Sequence, residues 1–264
     1  MKTILMKCGN LYMDEIKVLS LLFTSNVYEG NTIRVLNNLL NSLRQNIILN
    51  EVESKCIFFN DLDVLNCKGC INCFKEGYCN QDNIDNFNKI RKLILNTDLL
   101  IIGTPIYMNN VPGSFKKFID RLSSWGHLMK LNSKPTILVI TSGNNGIDFV
   151  CKYLFNILTL MGMNIIGLLQ INNTKESQKE KNLIKNIIYR YTHRYYKTTK
   201  IETNTALESS FQKYIIFYEN NNNLWYEEKY WNNIIKHKFK SYFQYVNHID
   251  NEINSNIKED RVWK

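Results

Sequence analysis

No apolar run in the 264-residue chain approaches the roughly 18 residues that a membrane-crossing helix needs, so no membrane partner is expected. The apolar stretch after Met1 is too short for a secretory signal, which argues against an oxidising compartment and leads us to expect a soluble, cytoplasmic protein. A basic stripe is also missing. The net charge is +9, but residues 175–264 hold only 16 Lys and Arg against 11 Asp and Glu, and the remaining surplus is scattered. With no aromatic-interleaved recognition motif either, nucleic acid is not an expected partner, and the diffuse charge suits a solvated surface or an anionic partner. The first loop carries no lysine of the Walker A kind and the chain has no G-x-G-x-x-G, which excludes a standard nucleoside triphosphatase or dinucleotide fold. None of the four histidines has a partner pattern that demands catalysis, and His127 is read as a surface or packing residue.

What the chain does have is four cysteines within thirteen residues, Cys67, Cys70, Cys73 and Cys79, in a C-x2-C-x2-C-x5-C spacing. Thiolates this close can turn towards one small inorganic core from a single loop, as in iron–sulfur sites, whereas zinc sites more often split their ligands into two separated C-x2-C knuckles. The spacing is therefore read first as a redox cluster. A structural zinc, a disulfide framework and an unloaded thiol loop stay open as alternatives. Cys8, Cys56 and Cys151 are solitary and are taken as packing residues.

Along the chain, apolar runs alternate with stretches of 3.6-residue period. Strands are expected at Lys17–Phe23, Glu51–Phe59, Asp98–Gly103, Pro135–Thr141 and Met163–Ile171. Helices are expected at Thr32–Leu43, Ile84–Leu95, Val111–Leu122 and Asp148–Met161. This order predicts an α/β fold with a doubly wound parallel sheet, whose ligands sit outside the carboxyl ends of the strands. The loops that begin at Thr24, Thr104 and Thr141 lie at that edge, and the first, Ser25 to Thr32, offers hydroxyls and a glycine ahead of a helix, a setting that suits a phosphate. Ordinary helix capping explains the same residues equally well.

Beyond Ile171 the texture changes. Asn172–Thr174 are expected to cap a helix with the stripe Leu183, Ile184, Ile187, Ile188 and Tyr191. The Asn-rich remainder is dense in aromatics, which disordered tails are not, so it is expected to pack. We divide the chain into 1–173 and a helical, aromatic-rich extension, 174–264. Trp225, Tyr226, Tyr230 and Trp231 are expected to anchor a homo-oligomer, a dimer or tetramer, with Asn220–Asn223 a loop and Ile249–Lys264 a frayed end.

Taken together, Ser25 to Thr32, the four-cysteine loop, Gly103-Thr-Pro-Ile-Tyr107 and Phe115-Lys-Lys-Phe-Ile-Asp-Arg121 resemble the flavodoxin-like NAD(P)H-dependent FMN reductases, and among them the iron–sulfur flavoproteins. The resemblance covers residues 16 to 172 and implies a five-stranded sheet of order 2-1-3-4-5. It implies FMN with its phosphate near Ser25, Gly30, Asn31 and Thr32. The isoalloxazine would lie against Thr104, Pro105, Ile106 and Tyr107, and a further side would be closed by Thr141, Ser142, Gly143 and Gly146. It further implies a 4Fe-4S cluster on Cys67, Cys70, Cys73 and Cys79, NAD(P)H as electron donor, and a small molecule or redox protein as acceptor. No side chain is assigned as catalytic, because the flavin carries the chemistry. A flavodoxin-type electron carrier without its own substrate and a zinc-stabilised, flavin-free binding module are the rival readings. The chain departs from the family at Asn26-Val27, where Pro and Arg are frequent, and at Asn80-Gln-Asp-Asn83, where paired acids are frequent.

Overall fold

The computed structural model describes residues 16–24, 30–47, 52–143, 146–172, 177–196, 202–220 and 225–256. Five parallel strands, β1 (Ile16–Leu22), β2 (Val52–Phe58), β3 (Leu99–Pro105), β4 (Lys134–Thr141) and β5 (Met163–Ile171), form one sheet in the order β2-β1-β3-β4-β5. Successive side chains on a strand point to opposite faces, and here both faces are apolar. Leu19, Leu21, Leu100, Ile102, Leu138 and Ile140 enter one core, while Val18, Leu22, Leu99, Ile101, Ile137 and Val139 enter the other. In β5 the alternation slips once, because Thr136 pairs with Ile165 and Ile137 with Gly167, which leaves Ile166 as an extra residue.

The first core is covered by α3 (Phe87–Leu95), α4 (Gly113–Arg121), α5 (Ser123–Leu128) and α6 (Ile147–Leu160). The second is covered by α1 (Asn31–Asn46) and α7 (Gln178–Arg190), which are tied to each other by the Arg34–Glu180 ion pair at 2.6 Å. The expected capping of α7 by Asn172–Thr174 is displaced: Ser177 is the N-cap and its Oγ accepts the Glu180 amide at 3.1 Å. Leu183 is more exposed than the rest of its stripe, and Ile84, expected on the apolar face of α3, lies 65% exposed ahead of that helix. Cys56 is also exposed, because β2 is an edge strand, while Cys151 packs against the first core and Cys8 lies outside the described residues.

A third core is built from α8 (Thr205–Glu219), α9 (Tyr226–Lys236) and α10 (Tyr242–Asn256). Its aromatics pack within the chain. Trp231 is fully buried, stacks on Tyr218 with ring centres 5.8 Å apart, and donates its indole N–H to the His127 carbonyl at 2.7 Å. Tyr230 and Tyr245 share a hydroxyl hydrogen bond of 2.6 Å, and burial raises the pKa of Tyr245 to about 12. The proposed anchors Tyr226, Tyr230 and Trp231 are thus turned towards their own chain. Residues 249–256, expected to fray, continue α10; Asn221–Asn223 of the expected loop and residues 257–264 lie outside the described residues.

Between β2 and α3 the chain crosses the carboxyl edge as a long excursion that includes the short α2 (Asn72–Lys75). This irregular backbone has no ladder of its own, and side chains supply some of its partners. Lys117 donates to the Val64 carbonyl, Arg121 to the Leu65 carbonyl, and Gln81 to the Asn66 carbonyl, at 2.9, 2.9 and 3.0 Å. Asp85 accepts the Leu65 amide at 2.9 Å and forms an ion pair with Arg121 in which both side chains are almost wholly buried. Burial pushes the Asp85 carboxyl upward, but Arg121 and the amides of Phe87 and Leu65 outweigh it and hold the group below the usual carboxylate range.

Two expected outcomes follow. Trp231→Ala should cost about 3–5 kcal/mol in urea unfolding, as for other buried Trp truncations, whereas a peripheral Trp231 would cost under about 1 kcal/mol. Arg121→Met should cost about 3–5 kcal/mol at pH 7 by leaving Asp85 buried and unpaired. Because the folded pKa of Asp85 is depressed, its contribution is present above the unfolded value of about 4 and is lost as pH falls through the folded value. The deficit of Arg121→Met should therefore shrink as the pH falls below about 4, and a pH-independent deficit would contradict the assignment.

Candidate functional site

The carboxyl edge of the sheet gathers three loops. β1 is prolonged by Phe23, whose amide donates to the Gly103 carbonyl at 2.9 Å; Ser25 lies outside the described residues. Gly30 is the N-cap of α1 and has no side chain with which to cap it, and no acidic residue occupies the first turn. Among the described residues, the first amides of this 16-residue helix thus meet the edge without a built-in anion. Gly103 lets α1 come this close: a Cβ there would lie 2.5 Å from a Leu22 methyl and 2.8 Å from the Thr32 methyl.

Thr32 is buried, and its hydroxyl lies 2.8 Å from that of Thr141 at the end of β4. One of the two hydroxyls donates to the other, which leaves the second hydrogen free for a third partner. Asn31 is half-buried beside it. At the end of β3, Thr104 is buried with its hydroxyl on the Pro105 carbonyl at 2.9 Å, and the Ile106 amide donates to the Thr141 carbonyl at 2.9 Å. Tyr107 and Asn110 exchange two 2.9 Å backbone bonds around Met108 and Asn109, both left-handed, so a two-residue turn projects from the edge with Tyr107 half exposed.

The third loop begins at Ser142, which is buried and donates its amide to Ile171 at 2.9 Å, and continues through Gly143, which has open space around it. Asn144 and Asn145 lie outside the described residues. Gly146 has φ +90°, and a Cβ on it would come within 2.8 Å of the Asn109 backbone, so this loop rests against the Tyr107–Asn110 turn. The fold thus brings Gly30, Asn31, Thr32, Thr104, Pro105, Ile106, Tyr107, Thr141, Ser142, Gly143 and Gly146 to one edge. Arg121 and Asp120 stand apart from these loops. Arg121 pairs with Asp85 and Asp120 with Lys116, so they do not pair with each other.

The cysteine loop flanks this edge. Gly69 and Ile71 both adopt left-handed backbone, which turns the chain sharply between Cys67 and Cys73, and the Gly69 amide donates to the Cys67 sulfur at 3.4 Å. Cys67 and Cys70 are exposed, Cys73 and Cys79 are half-buried, and all four are free thiols. Burial pushes the Cys73 thiol up; a hydrogen bond from Ser124 opposes this, and Cys79 and Cys67 add to it. Among the described residues no group of three or more His, Cys, Asp or Glu side chains is arranged to hold a metal ion. The donor chemistry nonetheless fits a thiolate-bound group, since four unbridged thiols share one loop.

The extension reaches this loop. Gly77, at φ +82°, faces the Tyr226 ring, where a Cβ would intrude to 2.8 Å, and Lys75 lies over Trp225 at 5.3 Å. Phe74 meets His127 edge-on at 4.8 Å, and His127 bonds Glu227 at 3.0 Å. Sequence reasoning missed the residues beneath the loop: Gln81, Asp82, Asp85 and Arg91. One signal for them was present, since Phe87, Ile90, Arg91 and Ile94 share the buried stripe of α3 and a cation in such a stripe requires a reason.

Similarity to other proteins agrees with this geometry. The chain is 34% identical over 106 residues, 39% of its length and 51% of the relative's, to an iron–sulfur flavoprotein of Archaeoglobus fulgidus. It is 32% identical over 128 residues, 46% and 54% of the two lengths, to an iron–sulfur flavoprotein of Clostridioides difficile. The chain thus spans about half the length of the curated relatives it matches. Among solved structures, RosB with a bound 8-demethyl-8-formylriboflavin-5'-phosphate superposes with a TM-score of 0.55 at 16% identity, over 79% of this chain and 89% of that one, which supports the fold. The model of the family described as NADPH-dependent FMN reductase matches residues 16–177, more than half of the chain, and the chain belongs to that family.

Proposed function

We propose that this protein is an FMN-dependent oxidoreductase that takes electrons from NAD(P)H and delivers them to a small-molecule or redox-protein acceptor, with an iron–sulfur group, of the 4Fe-4S type, on its cysteine loop. The observation that carries the flavin assignment is the start of α1. A helix N-terminus with no side-chain cap among the described residues faces the carboxyl edge, and the Thr32–Thr141 hydroxyl pair fixes it against β4. Ser25, Gly30, Asn31 and Thr32 would hold the phosphate through helix amides, hydroxyls and the positive end of the helix dipole. Thr104, Pro105, Ile106 and Tyr107 would support one side of the ring system, and Thr141, Ser142, Gly143 and Gly146 would close another. Bound FMN supplies hydride acceptance from the nicotinamide and release of electrons singly or in pairs. The protein's own part is to bind, to orient and to exclude water: Gly146 permits the two edge loops to touch, and the Tyr107–Asn110 turn forms a rim.

Cys67, Cys70, Cys73 and Cys79 would hold the iron–sulfur group, whose contribution is one-electron transfer. The family membership, the names of the two relatives and the four free thiols support this reading. Six unbridged cysteines among the described residues suit a reducing, cytoplasmic setting. A homo-oligomer belongs to the same proposal. Its support shifts from the extension aromatics, which are used within the chain, to α6, where Phe149 is 74% exposed and Phe155 43%. The units 1–173 and 174–264 are proposed as the flavin-binding part and its aromatic-rich cover.

Replacing Gly30 by Asp together with Thr32→Val should weaken FMN binding ~10–100-fold, because a negative charge arrives beside the phosphate and a charge-assisted donor is lost. Flavin fluorescence titration measures it, and unchanged affinity would overturn the phosphate assignment. Cys73→Ser should remove most of the iron from anaerobically reconstituted protein or leave it labile, as read by metal analysis and the visible spectrum. Zinc near one equivalent with no iron would point to a structural site instead.

A further inference from the structure

Arg91 stands in the buried stripe of α3 between Phe87, Ile90 and Ile94, with its side chain only 9% exposed. Its guanidinium forms an ion pair with Asp82, and its Nε has no hydrogen-bond partner. The other Asp82 oxygen accepts the Cys79 amide at 3.1 Å, so the pair stands directly behind the last cysteine of the loop. Burial pushes the Arg91 pKa down from its ordinary value; Cys79 and, less strongly, Cys73 act against that push, while the neighbouring Arg121 cation adds to it. Arg121, the other buried arginine here, has a different task, since it donates to the Leu65 carbonyl and to Asp85.

A buried ion pair is a poor source of stability, because apolar residues of similar volume do as well or better. An orphaned Nε adds to the cost. The arrangement becomes favourable once a permanent negative charge is present nearby. Four thiolates that hold an iron–sulfur group supply such a charge, and bonds and charges around the ligands tune groups of this kind.

We propose that Arg91 is a positioning residue and the buried countercharge of the four-cysteine loop, set behind Cys79 through Asp82, where it balances the charge that accumulates when the group on the loop is reduced. The inference rests on the reading that Cys67, Cys70, Cys73 and Cys79 hold an iron–sulfur group. One electron added to that group makes it more negative by one unit, and the fixed cation compensates this without uptake of a proton.

The test uses the full chain, reconstituted with iron and sulfide under anaerobic conditions and titrated with dithionite as the electron donor, with the potential read from the visible or paramagnetic signal of the iron. Arg91→Met should make reduction about tenfold less favourable, a move of ~59 mV to more negative potential for a one-electron couple. Arg91→Lys should restore the wild-type value, and Asp82→Asn, which keeps an acceptor for the Cys79 amide but removes the opposing charge, should move the potential in the positive direction. An iron-loaded Arg91→Met with an unchanged potential overturns the inference and leaves the iron–sulfur reading intact. Should Arg91→Met fail to fold or load, Asp82→Asn decides: a positive shift supports the inference and no shift overturns it. A wild-type protein that takes up no iron defeats the underlying reading first, and the inference with it, before any variant is made.

Discussion

A parallel sheet must be covered on both faces, and most features of this molecule follow from that requirement. Side chains of β1, β3 and β4 alternate between two apolar cores, so helices are needed on each side and every strand must be entered from the same end. The returning chain therefore reverses at the carboxyl edge again and again, and the loops that start there converge. Gly103 tightens the convergence by admitting α1 against the sheet, and the Thr32–Thr141 contact then joins the first and last of the edge loops. The site is a by-product of layer packing, sharpened at two or three positions.

The cysteine loop obeys a different physics. It has little apolar surface of its own to bury, and Val64, Leu65 and Asn66 are held instead by bonds from Lys117, Arg121 and Gln81 to consecutive carbonyls. Such a lattice is costly to assemble, since charges are withdrawn from water, and each bond in it ties one backbone carbonyl to one side chain. Apolar packing positions the edge loops, and charge positions the thiols. The two regions meet at α4, whose Phe115 and Phe118 face the sheet core while Lys117 and Arg121 hold the loop.

All five strands fall within a residue or two of expectation, β1, β3, β4 and β5 because well-buried strands read as mostly apolar runs, the half-exposed edge strand β2 without that advantage. Helix ends were less legible from the sequence. The start of α3 was placed at Ile84 because an isoleucine looks like the first turn of an apolar face, yet Asp85 is bound to the Phe87 amide and ends the preceding turns. The density of Tyr and Trp in the extension correctly signalled packing, but composition does not state against what, and the surface that receives Trp231 and Tyr226 is supplied by His127 and Gly77, about a hundred residues or more upstream. Asp82 and Asp85 were hidden for a related reason, and Arg91 was betrayed only by its place in the α3 stripe: in a linear sequence a buried ion pair looks like two solvated charges. The flavin-edge residues were found through motif resemblance, since Thr, Gly and Asn in a loop have too many ordinary uses to identify themselves.

The contact between Gly77 and Tyr226 has a temporal side. Tyr226 leaves the ribosome about 150 residues after Gly77, which at 5–20 residues per second amounts to about 7–30 s during which the cysteine loop exists without its cover. Sheet strands β3, β4 and β5 and helix α6 are made in that interval, so the platform beneath the loop is complete while its outer side is still open. Any factor that must reach the Gly77 side of the loop has this interval before Tyr226 arrives, whereas Cys67 and Cys70 stay exposed in the finished fold.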